Sequence, residues 1–386
     1  MANSFVTAEG LIRGERFYPL RAMVCTECLL VQLSEFESPD EIFSDYPYFS
    51  SFSDSWVEHA RRYADSVYER FGLGPESQVI ELASNDGYLL QHFVEMGVPV
   101  LGVEPAANVA AVAVERGIKT RIGFFGTELA DELLAAGLHA DLLIGNNVLA
   151  HVPKLNDFVA GMTHLLAPTG VVTMEFPHLY ELMTHHQFDT IYHEHFSYFT
   201  LLTVRDVFAR HGLRIFDVER VRSHGGSLRI FACHAEAAYE QSERIAAVDD
   251  VERAAGLHVL EGYRSFDDQV HATKYALLRF LIDARERGEH VAAYGAPAKG
   301  NTLLNYCGIR TDLIDFTVDR SPLKQGRYLP GTRIPILAPE ALGTTRPDYV
   351  LILPWNLKEE IISQMAHVRE WGGRFVVPIP ELEVLE

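Results

Sequence analysis

From Gln78 onward, short apolar runs alternate with segments of helical spacing, and that alternation limits the fold more than any other feature of the chain. The runs at 79–83, 100–104, 141–145 and 170–176 have strand length, while 88–96, 106–116 and 155–166 place apolar residues three and four apart. Strands separated by helices pair in parallel, because a parallel partner is reached only through a crossover. Their nearly continuous apolar character says that helices cover both faces of the sheet. Runs 213–221 and 228–234 flank Ser223-His-Gly-Gly-Ser and predict an antiparallel pair closing that sheet. The alternation resumes after His290, at 291–295, 314–319, 349–354 and 374–378, so a second α/β unit follows the first.

At about 100 to 200 residues per domain, 386 residues make two or three domains. Texture divides them into an N-terminal region, 1–70, with an amphipathic helix at 56–70, and a first α/β domain, 71–236. A long, charged helical linker, 237–289, and a smaller α/β domain, 290–386, complete the chain. Lys+Arg 33 against Asp+Glu 53 leaves −20, which argues against nucleic-acid binding through a basic face. It leaves room for a small anion in a local pocket. No window approaches the ~18 apolar residues of a membrane span. Residues 1–13 lack a basic stretch followed by an apolar core, so no secretion signal is expected. Four cysteines fit a reducing cytoplasm. Monomer and homo-oligomer both remain open.

The first unit's opening strand ends in Glu81-Leu-Ala-Ser-Asn85-Asp-Gly87 and runs directly into a helix. No G-x-G-x-x-G is present, so a pyrophosphate cradle is not expected there. The next strand ends in Glu104-Pro105, where an acid suits a bidentate hold on ribose hydroxyls; the plainer alternative is a helix-start charge. A third polar strand end is Gly145-Asn146-Asn147-Val-Leu-Ala-His151. This layout resembles the class I S-adenosylmethionine-dependent methyltransferases, a Rossmann-like α/β fold. The resemblance implies a cofactor site at Glu81, Asn85, Gly87, Glu104, Pro105, Asn146 and Asn147, with the first turn near the methionine part and Glu104 on the ribose.

After the fifth strand comes Asp189-Thr-Ile-Tyr192-His193-Glu194-His195-Phe. Neighbouring positions of a helix face different directions, and the spacing is not H-E-x-x-H, so a metal site is a poor reading. A neutral His beside a carboxylate is instead a base poised near neutral pH, with a polar turn as the bland alternative.

Five segments in this order span nearly the whole chain: Tyr46-Pro-Tyr-Phe-Ser-Ser, Glu81-Leu-Ala-Ser-Asn-Asp-Gly, Tyr192-His-Glu-His-Phe, His224-Gly-Gly-Ser-Leu-Arg and Tyr294-Gly-Ala-Pro-Ala-Lys-Gly-Asn-Thr. Together they resemble the NDP-sugar C-methyltransferases, which methylate a carbon of a nucleotide-linked 4-keto-6-deoxyhexose in antibiotic or surface-polysaccharide pathways. The resemblance implies that His195 is the base, that Glu194 and Tyr192 orient or polarise, and that His151 and Tyr46 reach the sugar. The carbon beside a ketone is acidic only if its enolate is stabilised, so a base and an electrophilic partner are both needed. Methylation is expected at C3, with C5 as the alternative, since the C4 ketone acidifies both neighbours. A sugar-nucleotide-binding or NAD-dependent oxidoreductase is the rival from another class, weakened by the missing dinucleotide fingerprint.

In the second unit, Tyr294-Gly-Ala-Pro-Ala-Lys299-Gly reads as strand, turn and helix start, an anion site with a lysine beside it. It is not a Walker A loop, so ATP hydrolysis is not expected. Strand ends Asp319 and Trp355-Asn356 fall at the same edge. The resemblance makes this edge, with Lys299, Asn301, Asp319, Trp355 and Asn356, part of the nucleotide-diphosphate site. Members of the family open with two Cys-x-x-Cys pairs around zinc. Here only Cys25-Thr-Glu-Cys28 stands, half of a four-ligand site, read as a vestigial knuckle with zinc left open.

Overall fold

The computed structural model describes residues 1–38, 49–52 and 54–385. The chain divides into two compact units built from interleaved segments: 23–178 with 195–258, and 1–22 with 179–194 and 259–386. This differs from the four consecutive regions read from the sequence. Residues 179–194 and 1–22 belong with the C-terminal unit, and the stretch 237–289 is divided at Val259 rather than standing as a linker.

In chain order the first unit holds strands β1 (Met23–Val24), β2 (Val31–Gln32), β3 (Val79–Leu82), β4 (Val100–Glu104) and β5 (Thr120–Ile122). There follow β6 (Ala140–Asn146), β7 (Leu166–Pro177), β8 (Ser197–Tyr198), β9 (Leu213–Val221) and β10 (Ser227–His234). Seven of them form one sheet in the order β5-β4-β3-β6-β7-β10-β9. β10 runs antiparallel to both neighbours and β3 to β7 pair in parallel, as the alternation predicts. Every residue of β3 is buried, including Glu81, because helices lie on both faces of the sheet. β5 is the strand the pattern does not reveal: three residues at the sheet edge, two of them exposed. The order reverses between β3 and β6, so the crevice at the carboxyl ends of β3, β4 and β6 is where such a sheet binds ligands. A separate sheet joins the short strands β1, β2 and β8.

The second unit holds β11 (Val291–Tyr294), β12 (Thr317–Val318), β13 (Ile336–Leu337), β14 (Tyr349–Ile352), β15 (Arg374–Val377) and β16 (Glu383–Leu385). Their order is β13-β12-β11-β14-β15-β16, parallel except for the last. β13 and β16, two and three residues long, are too short to register as periodic runs. Helix Phe266–Glu286 buries Val270, Leu277, Leu281 and Ala284 against this sheet. Among the described residues, no helix is long and apolar enough to cross a membrane.

The stretch 237–289 holds two α-helices rather than one, Arg244–Ala254 and Phe266–Glu286, with a short 3-10 turn, Leu260–Tyr263, between them. The break is a glycine cap. Gly256 takes φ +76°. Its N–H donates to the Arg253 carbonyl at 2.9 Å, and Leu257 N–H donates to Glu252 at 3.0 Å, the paired bonds of a Schellman ending. Leu257 then turns inward and is buried. Gly256→Ala should cost about 1 kcal/mol through the left-handed backbone it must keep. A lower urea midpoint at unchanged m-value is the expected reading.

Candidate active site

At the end of β3 the chain makes a turn that the backbone does not adopt cheaply. Ala83, Asn85 and Gly87 all have positive φ, at +54°, +50° and +79°. For Ala83 and Asn85 this is strain of the kind found at functional sites. At Gly87 a side chain would be strained by the positive φ and its Cβ would have to displace Ile118 Cδ1. The turn is fastened on two sides. Glu104, at the end of β4, accepts from Asn85 N–H at 2.9 Å and from Ala106 N–H at 2.8 Å. From the other side Ser50 N–H donates to Asn85 Oδ1 at 2.8 Å, and Ser51 Oγ donates to the buried Asp86 carboxylate. Arg116 joins them, donating to the Asp86 carbonyl and to Ser51 Oγ, both at 3.0 Å.

Several buried polar atoms at these strand ends have no hydrogen-bond partner among the described residues: Glu81 Oε2, Ser84 Oγ, and both side-chain amide atoms of Asn146. Burial raises the Glu81 pKa well above the ordinary carboxyl range, and the nearby Glu104 and Asp86 charges push the same way. Glu104 is also raised, by burial, against the pull of its two backbone donors. Pro105 follows it as the chain leaves the sheet. Asn147, with φ +54°, donates its N–H to the Glu175 carbonyl of β7 at 2.7 Å.

His195 and His151 meet in the same unit, ring centroids 4.6 Å apart at 75°. Three contacts bring them together. Phe196 N–H donates to the Ala150 carbonyl at 2.7 Å, Leu33 N–H donates to the Phe196 carbonyl at 3.0 Å, and β8 pairs with β2. Tyr198 stands edge-on to His195 at 6.0 Å. His195 is only 7% exposed.

In the other unit, Glu194 is buried and accepts from Asn3 Nδ2 through both oxygens. Burial pushes its pKa up to about 7, against the Asn3 bond. Tyr192 lies in the same segment, half-buried. Lys299, Trp355 and Asn356 do come together, as the sequence reading requires. Lys299 Nζ donates to Asn356 Oδ1 at 2.7 Å and sits 4.6 Å from the Trp355 ring centroid. A residue that reading gave no role completes the group: Asp189, fully buried, accepts from Trp355 Nε1 at 2.8 Å. Burial raises its carboxyl to about 6, opposed by Lys299. Asp319 closes the first turn of this unit much as Glu104 does in the other, accepting from Ala296 N–H and Ser321 N–H, both at 2.8 Å. Asn301 donates to the Ala2 carbonyl. Tyr46 lies outside the described residues.

Comparison with known proteins finds three matching domains. Residues 56–218 match the methyltransferase domain, 222–380 the C-methyltransferase C-terminal domain, and 1–43 a domain described as zinc binding. The C-methyltransferase NovU of Streptomyces niveus is 40% identical over 385 residues, 100% of this chain and 92% of its own. The chain belongs to the S-adenosylmethionine-dependent C-methyltransferases. A ubiquinone biosynthesis O-methyltransferase of Rhodopseudomonas palustris is 22% identical over 117 residues, 28% of this chain and 46% of its own. The magnesium protoporphyrin IX methyltransferase structure from Synechocystis is 16% identical at TM-score 0.36, covering 47% of this chain and 82% of that one.

The residues of this C-methyltransferase fit its cofactor. Each Glu104 oxygen spends one lone pair on a backbone donor and keeps another for a hydroxyl. The unpartnered Asn146 amide and Glu81 oxygen offer further polar contacts at the ends of β6 and β3. Zinc fits less well. Cys25 and Cys28 sit in the turn between β1 and β2, where backbone N–H groups of Cys28 and Glu27 pull the Cys25 thiol pKa down. Among the described residues no three His, Cys, Asp or Glu side chains gather to hold a metal.

Sequence reasoning also passed over a buried cluster in the first unit. Glu175 accepts from Arg229 and Ser223, both at 2.6 Å, and bonds His59 at 3.0 Å. No spacing announces these four residues, which come from four separate segments. Glu104→Gln keeps the side chain's shape but loses its charge and one acceptor. Binding of S-adenosylhomocysteine should weaken by about 1.5 to 3 kcal/mol in calorimetry, and unchanged affinity would remove Glu104 from the cofactor site.

Proposed function

We propose that this C-methyltransferase methylates C3 of an NDP-4-keto-6-deoxyhexose, with His195 as the base that removes the C3 proton. The observation that carries the reading is the buried His195–His151 pair, held in the unit that contains the cofactor turn. A histidine is the side chain whose ordinary pKa suits proton abstraction near neutral pH. His195 takes the proton, and the C–H electron pair moves into the enolate with charge on the C4 oxygen. Tyr192 and Glu194 orient or polarise that oxygen, and His151 and Tyr46 reach the sugar. Bound S-adenosylmethionine supplies the electrophilic methyl group for the deprotonated carbon. His195 afterwards passes its proton to solvent.

Lys299, Asn301, Asp319, Trp355 and Asn356 hold the nucleotide diphosphate in this reading. Lys299 supports it best, being a cation stacked on an aromatic ring at a helix start. Incubation with S-adenosylmethionine and a panel of dTDP-4-keto sugars, beginning with dTDP-4-keto-6-deoxyglucose, tests the reading once NMR locates the new methyl. A methyl on C5 keeps the chemistry and moves the site; no methylated sugar defeats the substrate assignment.

Lys299→Ala should raise the KM for the sugar nucleotide far more than that for the cofactor. Equal effects on the two would take the diphosphate away from this lobe. His195→Asn retains size and a hydrogen bond but not the base. Its kcat should fall by roughly 10²- to 10⁴-fold with both substrates still binding. With S-adenosylhomocysteine in place of the donor, solvent deuterium should stop entering the acceptor carbon. Exchange continuing at the wild-type rate would assign the base to another group, Glu194 or His151 first.

A further inference from the structure

The first residues of the chain reach Glu194 and the helix that begins at Ala298, both in their own unit. Val6 and Tyr328 exchange backbone hydrogen bonds in both directions at 2.9 Å. Phe5 packs on the unit's apolar core, with Lys324 Nζ 5.2 Å from its ring centroid. That anchor delivers Ala2 and Asn3. The Ala2 carbonyl accepts from Asn301 Nδ2 at 2.6 Å, and Asn301 is itself buried. Asn3 Nδ2 then donates to both oxygens of Glu194, at 3.0 and 2.9 Å. Glu194 is 4% exposed, so these bonds replace the water its carboxylate would otherwise have.

The chemistry of the donor matters. An Arg or Lys against a buried carboxylate would hold it firmly as the anion. A neutral carboxamide fixes its direction and leaves it able to titrate. The other groups facing Glu194 do not change this: burial favours the acid, and the Met1 amino group favours the anion. His193, next in the chain, is bonded to the Pro19 carbonyl at 3.2 Å.

We propose that Asn3 is a positioning residue for the methyl transfer, its carboxamide aiming the Glu194 carboxylate at the acceptor while Ala2 ties the same segment to Asn301. This rests on the reading of Glu194 as a group that orients or polarises the acceptor. It gives the N-terminal segment a part in the reaction that needs no metal. The segment's contacts through Val6 and Phe5 serve to place two residues, Ala2 and Asn3.

The test uses the full chain with carboxyl-13C glutamate, Glu194→Gln identifying the Glu194 resonance. The wild-type resonance should titrate near about 7. Removing the donors in Asn3→Ala should move that midpoint up by about one pH unit. Asn3→Asp, placing a like charge there, should move it further, and Asn3→Ser, keeping one donor, should restore part of the shift. With dTDP-4-keto-6-deoxyglucose as acceptor, the inflection in the kcat–pH profile should follow the same order, while the KM for S-adenosylmethionine stays put. An unmoved NMR midpoint overturns the proposal, as does a moved midpoint with an unchanged kcat profile. If Glu194→Gln keeps wild-type kcat, the role of Glu194 falls and the proposal with it. If Glu194→Gln loses activity but Asn3→Ala does not, only the proposal about Asn3 falls.

Discussion

The backbone hydrogen bond from Phe196 N–H to the Ala150 carbonyl, with the β2–β8 pairing beside it, sets His151 next to His195. His151 ends the short turn after β6, and His195 lies 44 residues later, before β8. Nothing in the main sheet forces the two to meet. The small sheet does: β1 and β2 form a hairpin, and β2 offers its free edge to β8. The hairpin that carries Cys25 and Cys28 thus acts as a template for the strand that follows His195. A three-stranded sheet of two-residue strands has little stability of its own. It is held because Leu30 and Val31 are buried, and Leu30 sits in the core of the main sheet.

The two units solve the same problem in the same way. In each, an acid at the end of the strand beside the first one reaches across and takes an N–H from the first turn: Glu104 from Asn85, Asp319 from Ala296. Each also takes an N–H from its own turn, Ala106 or Ser321. A carboxylate placed so ties two strand ends together and still presents unused lone pairs to the crevice. The fastening also explains why the first unit tolerates non-glycine residues with positive φ. Ala83 and Asn85 are kept there by bonds from Glu104 and Ser50 that surround the turn, since strain of this kind persists only where neighbouring contacts over-determine the conformation.

Periodicity was enough to read the parallel strands β3, β4, β6 and β7, the closing pair β9 and β10, and the turns at Gly87 and Gly295, because buried strands leave continuous apolar runs. β5, β13 and β16 left no such mark, being two or three residues long. Interleaving was equally invisible. Residues 179–194 look like a continuation of the methyltransferase sheet, yet Phe188 and Ile191 spend their apolar surface on the other core. The pairing of Lys299 with Trp355 and Asn356 was legible as three strand ends at one edge. Asp189 was not, because an acid three residues ahead of the Tyr192-His-Glu-His motif carries no sign of its eventual partner. The segment read on its own as a histidine base beside a carboxylate, with a polar turn as the plainer alternative; the resemblance implied which residue would be the base.

Four buried carboxyl groups show what burial does and what overrides it. Glu194, with a carboxamide for a partner, is pushed up to about 7. Asp189, with an indole N–H and a lysine beside it, stops at about 6. Glu81, facing two more carboxylates, is likewise raised, well above the ordinary carboxyl range. Glu175 is as deeply buried as any of them, yet His59, Arg229 and Ser223 together pull it down to about 2. Desolvation acts on all four in the same direction, so the partner decides the outcome. A charge locked at pH 7, as in Glu175, can hold a helix, a strand and a loop in place but cannot exchange a proton there. Of the four, the carboxyl pushed to about 7 is the one in the Tyr192-His-Glu-His segment, and its neutral carboxamide partner leaves it free to titrate.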